Sequence, residues 1–179
     1  MKARKVDGLE PDEPLADNAE RIIRVRLDEL CGFMPEAADP AEVVALHDMR
    51  IAAKRLRYVL EVTGPCFGAY TSTATKLTKE VQDLLGEIHD CDVQVPEIAA
   101  FAERLLAQDA TALRAAEETD PTRAPHARKH AGVVLLQSHL RARRLILFDQ
   151  FLELWGSLER KGFRARLEYA VTERADVHI

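Results

Sequence analysis

Apolar residues recur at helical spacing along most of the chain, and this periodicity restricts the folds that it can adopt. Between residues 77 and 102 the apolar positions fall on one side of a helix wound at about 100° per residue. A second such segment, residues 126–155, is apolar over a wider arc and should be central in the fold. The alternation of apolar and polar residues that is typical of β-strands extends over only a few positions. The sequence therefore predicts an all-α fold, an antiparallel bundle of five to six helices.

Capping residues predict where the helices begin. Asp17 and Glu20 have the spacing of a capping box, and Asp39 and Pro40 followed by Glu42 form a stronger helix start. Taken with the apolar periodicity and the turn residues, these signals predict helices at about residues 17–30, 40–63, 71–117 and 126–155, followed by a final helix that includes residues 167–171.

Proline and glycine residues predict the interruptions and the domain boundary. Pro96 should kink the third helix or begin a new one, and Gly156 and Gly162 should bracket the join before the final helix. Residues 1–16 are expected to form a flexible lead-in, and residues 17–175 a single helical domain.

Composition excludes several classes of protein. The 179 residues are 47% apolar, enough for one core, and the formal net charge of −5 gives no overall basicity for nucleic acid. The longest apolar runs are too short to span a bilayer. The three cysteines are widely spaced and odd in number, which is typical neither of a disulfide framework nor of a CxxC metal site. We therefore expect a cytoplasmic protein that does not associate with a membrane.

Charge is strongly segregated along the chain. Residues 121–148 contain six basic residues and no acid, whereas residues 81–120 contain ten acids against Arg104 and Arg114. Packing of the acidic segment against the basic segment would explain this pattern as well as a ligand would, and the sequence leaves both alternatives open.

Residues 47–58 carry a basic face. His47, Arg50, Lys54 and Arg57 recur at offsets of three, seven and ten, so a helix stacks them along one stripe. The opposite side holds the residues that a core requires: Met49, Ala52, Ala53, Leu56, Val59 and Leu60. Like charges at this spacing repel each other. We therefore expect an anion to neutralise the stripe, either a carboxylate of the protein or a ligand.

A row of fixed cations favours a ligand that repeats its charge, such as a polyphosphate chain. Arg50 and Arg57 can each bind two phosphate oxygens, Lys54 acts as a point charge, and His47 gains a proton readily beside an anion. The sequence predicts binding without turnover, because it shows no recognisable pairing of a nucleophile with a base and no glycine-rich phosphate loop. Cys91 is interpreted as a core residue.

Two other functions stay open at this point. The dipeptides His47-Asp48 and His89-Asp90 are reminiscent of metal-dependent HD-type phosphohydrolases, although neighbouring residues on a helix diverge by about 100° and the stripe would repel a dication. The other alternative is a helical protein-interaction module. The sequence argues against nucleic acid as a partner, because Tyr58 is the one aromatic available there for base stacking.

Two motifs resemble the sequence pattern of a known family. Residues 47–58 (HDMRIAAKRLRY) and 84–93 (LLGEIHDCDV) resemble the CHAD domain, the conserved-histidine α-helical domain, with its pattern H-x-x-R-x-x-x-[KR]-R-L-R and a later L-G-x-x-x-D-x-D-V. The resemblance extends more loosely over residues 17–170. It implies an all-helical module that binds inorganic polyphosphate along a basic surface or pore. Metal chelation is an older proposal for the family, and such domains often accompany triphosphate tunnel enzymes of the CYTH type.

The resemblance also implies which residues bind. It assigns polyphosphate contacts to His47, Arg50, Lys54, Arg55 and Arg57, and it implies that Asp90 and Asp92 position those cations. Charge and helix face add four further candidates: Lys76, Lys79, Arg141 and Arg143. We expect no catalytic residue, metal ligand or cofactor. Family domains commonly hold two similar halves around one basic cavity, and one clear copy is visible here, so a two-fold homodimer is expected to complete the cavity.

Overall fold

Helices make up most of the chain. The computed structural model describes residues 2–175, and this range contains no β-strand. The five α-helices are α1 (Leu15–Cys31), α2 (Val43–Thr63), α3 (Tyr70–Ala115), α4 (Ala127–Arg160) and α5 (Phe163–Ala170). Short 3₁₀ turns cover Glu36–Ala38, Gly64–Cys66 and Pro121–Arg123. The predicted all-α helical bundle is confirmed. Within the described range, no helix combines the length and the apolarity that crossing a membrane requires.

The described residues divide into two compact units. The first comprises residues 2–87 and 148–175, and the second comprises residues 88–147. Helices α1, α2 and α5 lie in the first unit, together with the start of α3 and the end of α4.

The first unit is built around a core of aliphatic and aromatic side chains. The largest side chains that are fully buried there are Ile23, Leu27, Leu30, Leu46, Met49, Leu56, Leu60, Leu85, Phe151 and Leu167. Each comes from the apolar side of an amphipathic helix, as the periodicity predicted, and burying such a side chain contributes about 1.5–3 kcal/mol. Phe151 lies between Phe148 and Trp155, with ring centroids 6.2 and 6.4 Å away.

The start of α1 differs from the prediction. Asp17 and Glu20 do not form a capping box; Pro14 is the N-cap residue, and α1 begins two residues earlier than expected, at Leu15. Both carboxylates accept hydrogen bonds from Nη2 of Arg174, each at 2.7 Å. A hydrogen bond from a guanidinium to a carboxylate is stronger than one from a neutral backbone amide, and this favours the tertiary partner over the local one.

The start of α2 also differs. The prediction placed the first turn at Pro40, whereas α2 begins at Val43 with Glu42 as its N-cap residue. Asp39 Oδ1 accepts a hydrogen bond from the amide of Ala41 at 2.8 Å. Aspartate commonly forms such a turn with the amide two residues ahead, and here the turn replaces the first helical residues. The predicted end at Gly64-Pro65 is confirmed, because α2 stops at Thr63.

At neither of two expected interruptions, Pro96 and Gly156, does a helix end. Helix α3 continues through Pro96 to Ala115, and α4 continues through Gly156 to Arg160. The apolar period keeps the same register before and after each of these residues, so a continuous helix leaves the apolar side chains on the packed face. Tertiary packing therefore outweighs the intrinsic cost of proline and glycine in a helix.

The second unit is a hairpin formed by the end of α3 and the start of α4. Its buried apolar side chains are Ile88, Cys91, Leu105, Leu140 and Leu147. The interpretation of Cys91 as a core residue is confirmed, since it is 2% exposed. The expectation that the whole apolar arc of residues 126–155 would be central is wrong for this unit, because Val134 and Leu136 are 60% and 48% exposed.

The buried carboxylate of Asp109 connects α3 to the start of α4 near the loop of the hairpin. Asp109 on α3 is 4% exposed, and its Oδ1 accepts hydrogen bonds from the backbone amide of His126 at 3.0 Å. The rings of His126 and His130 lie 2.9 and 2.8 Å from its two oxygens. Burial raises the pKa of Asp109, but the hydrogen bonds from His130 and His126 outweigh this effect and hold the pKa below its usual value.

A carboxylate whose pKa is lowered by folding stabilises the fold above its unfolded pKa, and this contribution is lost as the pH falls through the folded pKa. We therefore expect Asp109→Ala to increase amide hydrogen exchange in residues 118–130 at neutral pH by at least about tenfold, as local opening becomes easier. Lowering the pH of the wild type through the folded pKa of Asp109, which lies below 3.8, should reduce the protection of the same amides relative to their intrinsic exchange rate at that pH. Glu103→Ala removes the same charge from an exposed position on α3 and should leave exchange unchanged. Equal exchange in the two variants would show that Asp109 does not hold the hairpin loop.

Candidate functional site

The packing of α2 fixes the orientation of its basic stripe. Its buried residues are Ala45, Leu46, Met49, Ala52, Ala53, Leu56, Leu60 and Thr63. The stripe residues are not buried: Lys54 is exposed, and His47, Arg50 and Arg57 are partly exposed. Because the apolar side is held in the core, the cations cannot rotate inward without exposing that side to water. The division of this helix into two faces is as the sequence predicted.

Arg50 extends over a glycine of the neighbouring helix. A Cβ atom placed on Gly86 of α3 would lie 3.6 Å from Nε of Arg50. Gly86 and Arg50 belong to the same unit, so this contact is part of how α2 and α3 pack. The missing side chain leaves room for the guanidinium to lie across α3. A bulky side chain at this position would displace it.

The end of the stripe is partly neutralised by the same helix. Arg57 Nη1 lies 3.1 Å from Glu61 Oε1, one turn further along, and the Arg57 side chain is only 15% exposed. Its Cζ stands 4.6 Å from the ring centroid of Tyr58, and Nζ of Lys54 stands 5.7 Å from the same ring. Cation–π contacts of this kind are worth about 0.5–1 kcal/mol at exposed sites. Tyr58 therefore holds two of the cations beside each other.

The middle of the stripe lacks such neutralisation. Across residues 2–175, no carboxylate forms an ion pair with Arg50 or Lys54. Many other arginines of the first unit do pair with acids: Arg21 with Glu13, Arg24 with Glu20, Arg26 with Glu29, Arg164 with Glu168 and Arg174 with Asp17. Arg50 and Lys54, one helical turn apart, therefore keep their positive charge available to an anion.

The remaining candidate cations lie on other helices or on the flank of α2. Arg55 is partly exposed, whereas Lys76 and Lys79 are exposed on α3 in the first unit. Lys79 Nζ pairs with Asp83 Oδ2 at 2.5 Å. Arg141 and Arg143 are exposed on α4 in the second unit. The structure therefore gathers four of the nine predicted binding residues on one face of one helix.

The two aspartates of the second motif were expected to position the cations of α2. The partner that the structure gives Asp92 is Arg144 of α4, whose Nε and Nη2 both donate to its carboxylate. Both side chains are largely buried. Asp90 is exposed. Arg144 was not among the predicted site residues, and the run of basic residues at 141–144 was the signal for it in the sequence.

The groove at the end of α2 does not include the basic stripe. A groove of about 470 Å³ lies between the end of α2 and the start of α3, lined chiefly by Leu60, Pro65, Phe67 and Thr75. Lys76 and Glu61 are the charged residues of its lining. Neither Arg50 nor Lys54 borders this groove. The basic stripe is therefore a surface feature, which suits an extended ligand better than a compact one.

Metal clusters and the acidity of the buried thiols can be read from the described residues. Within residues 2–175, no group of three His, Cys, Asp or Glu side chains is placed to hold a metal ion. Burial raises the pKa of the Cys31 thiol to about 11, and burial also raises the pKa of Cys91. Both thiols therefore stay protonated near neutral pH, and a protonated thiol is a poor nucleophile.

Comparison with known proteins identifies a family. The family model described as "CHAD domain" matches residues 2–99, which is more than half of the 179 residues. This range includes the whole of α2 with its stripe, together with Gly86, Asp90 and Asp92. Neither the curated proteins nor the solved structures contain a match to this chain.

Proposed function

Because this chain belongs to the CHAD domain family, we propose that it binds inorganic polyphosphate along the basic face of α2 and does not hydrolyse it. The observation that carries the proposal is the pair Arg50 and Lys54. These two cations lie one turn apart on a helix that the core holds in place, and no carboxylate of residues 2–175 neutralises them.

The spacing of the stripe favours a ligand with repeated charge. Adjacent members are three or four residues apart, which is about 4.5–6 Å along the helix axis. A single carboxylate or a lone phosphate would engage one or two of them, whereas a chain of phosphates engages the row. Arg50 supplies a planar pair of donors for two oxygens, and Lys54 supplies a mobile point charge. Affinity should therefore rise with the length of the phosphate chain.

The stripe is suited to holding phosphate rather than to cleaving it. Hydrolysis needs a group that activates water or a nucleophile, in addition to charge that stabilises the transition state. Arg50, Lys54 and Arg57 supply charge and hydrogen-bond donors only. A cytoplasmic location stays a prediction from composition, and a CYTH-type triphosphate enzyme as partner stays a prediction of the family resemblance.

Calorimetric titration tests the ligand. We expect polyphosphate to bind more tightly than ATP or single-stranded RNA, and its affinity to fall by at least about tenfold between 50 and 200 mM salt as counterions are released, by analogy with nucleic-acid binding. A longer polyphosphate should bind more tightly than a shorter one. Equal affinity for RNA and polyphosphate would contradict polyphosphate as the preferred ligand.

A phosphate-release assay on the same samples tests the absence of turnover. We expect no release of phosphate from polyphosphate in the presence of Mg²⁺, Mn²⁺ or Zn²⁺. Sustained release that depends on one of these ions would overturn binding without turnover and support the metal-dependent phosphohydrolase instead.

A further inference from the structure

A cavity of about 450 Å³ lies within the first unit, lined by residues from the end of α1 and from the junction of α4 with α5. No residue of the basic stripe on α2 borders it. Its apolar wall is formed by Met34, Trp155, Leu158 and Phe163. The last three of these side chains are 4%, 2% and 3% exposed, so the core holds the wall in place. A cavity of this size with a fixed apolar wall is typical of the sites in which proteins bind small molecules.

The charged residues of the lining are predominantly acidic. Glu159 and Glu168 border the cavity together with one cation, Arg164. This cation is already paired with acids of the protein. Its Nε donates to Glu168 Oε1 at 2.9 Å, and its Nη2 donates to Asp28 Oδ1. The guanidinium is therefore a poor partner for an anionic ligand, because such a ligand would have to displace two carboxylates.

Glu159 is the carboxylate of the lining that has no cation beside it. Within residues 2–175, no Lys, Arg or His forms an ion pair with Glu159. Its Oε1 accepts a hydrogen bond from Nε1 of Trp155 at 2.9 Å, which fixes the carboxylate beside the indole ring. The next residue, Arg160, does not line the cavity and extends over Gly156, where an added Cβ would lie 3.1 Å from its Nη1. Glu159 therefore presents a negative charge at the edge of an apolar wall.

The thiol of Cys31, which also lines the cavity, is subject to the same excess of negative charge. Burial is the largest cause of the rise in its pKa to about 11, and Arg164 opposes this rise. Three carboxylates add to it: Asp28, Glu168 and Glu159. Since three carboxylates and one guanidinium act on this part of the cavity, its electrostatic field favours a cation over an anion.

We propose that this cavity binds a small organic cation, whose ammonium group pairs with Glu159 and whose apolar body packs against Trp155, Leu158 and Phe163. An ammonium group donates charge-assisted hydrogen bonds to a carboxylate, and aromatic side chains such as those of the wall attract cations as well. The site does not depend on polyphosphate binding, because it lies on other helices than the stripe and takes a ligand of opposite charge.

The fluorescence of Trp155 tests the ligand class, because Trp155 is the one tryptophan of the chain and lines the cavity. Three probes have nearly the same shape and differ in charge: phenethylamine is a cation, phenethyl alcohol is neutral and hydrocinnamate is an anion. At neutral pH we expect phenethylamine to change the fluorescence saturably, with a dissociation constant at least about tenfold lower than that of either other probe. Equal affinities for the three probes, or no saturable change with phenethylamine, would overturn the proposal.

Glu159→Gln tests the carboxylate while keeping an oxygen acceptor for the indole N–H of Trp155. We expect this variant to bind phenethylamine at least about tenfold more weakly, with the affinity that it has for phenethyl alcohol, whose own binding should not change. Glu153→Gln is the matched control, because Glu153 is exposed on the same helix and lies outside the cavity. It should bind phenethylamine as the wild type does. Circular dichroism checks that both variants keep their helices. Wild-type affinity for phenethylamine in the Glu159→Gln variant would contradict the proposed site.

Discussion

Replacing Arg50 and Lys54 together with alanine is expected to weaken polyphosphate binding by at least about tenfold, which corresponds to about 1.4 kcal/mol. Neither residue has a carboxylate partner in residues 2–175, so their charge is available to the proposed ligand. A hydrogen bond to a charged group contributes about 1.5–3 kcal/mol, and tenfold is therefore a lower bound for losing two. The salt dependence of binding should become shallower, because fewer counterions are released. Calorimetry at two salt concentrations measures both effects.

Two control variants make this result specific. Arg160→Ala with Lys161→Ala removes two positive charges from exposed positions at the end of α4 and should leave affinity within about twofold, because neither residue belongs to the stripe on α2. Glu61→Gln removes the carboxylate that competes for Arg57 and should increase affinity. Alanine favours helix, so the double variant at 50 and 54 should keep its helicity. Unchanged affinity in that folded variant would show that α2 is not the binding surface.

Replacing Phe151 with alanine is expected to reduce the free energy of unfolding by about 3–5 kcal/mol. Its side chain is fully buried, and its ring lies 6.2 Å from that of Phe148 and 6.4 Å from that of Trp155. The substitution leaves a cavity and removes two aromatic contacts, each worth about 0.5–1.5 kcal/mol beyond burial. Trp155 is the one tryptophan of the chain, so its fluorescence during urea unfolding reports on this part of the core.

Tyr169→Ala provides the comparison for the core variant. Tyr169 is an aromatic residue of the same unit that is 65% exposed on α5, and its loss should change stability by less than about 1 kcal/mol. At urea concentrations below its unfolding midpoint, the Phe151→Ala protein should still bind polyphosphate, because the basic face of α2 is unchanged. Similar stability losses in the two aromatic variants would mean that the residues around Phe151 can collapse into the cavity.

Long-range partners explain why the predicted capping box does not form and why the partner of Asp92 was not foreseen. Asp17 and Glu20 are a sound capping box by spacing, yet their partner is Arg174, more than 150 residues away in sequence. Asp92 was expected to position the cations of α2, and the structure pairs it with Arg144, which is 52 residues away in sequence. The sequence contained each of these residues, but nothing in their spacing indicated which pairs would meet.

Proline and glycine residues inside helices also show that local propensity alone does not predict where a helix ends. Local propensity ends or bends a helix at Pro96 and at Gly156. The structure continues both helices, because the apolar residues before and after each position share one packed face. The cost of one unfavourable residue is a few kcal/mol at most, and several buried side chains together outweigh it.

The spacing of residues along the chain was enough to determine the helical class, the two faces of α2 and the burial of Cys91, because a helix places neighbours three and four residues apart on the same side regardless of what lies beyond. Tertiary structure alone decided which charges are neutralised and which apolar faces are covered. Arg57 pairs with Glu61 while Arg50 and Lys54 keep their charge, and Leu135 on α4 is exposed while Leu140 is buried. Periodicity reports that a face is apolar or charged, whereas burial and pairing depend on which parts of the chain meet it in space.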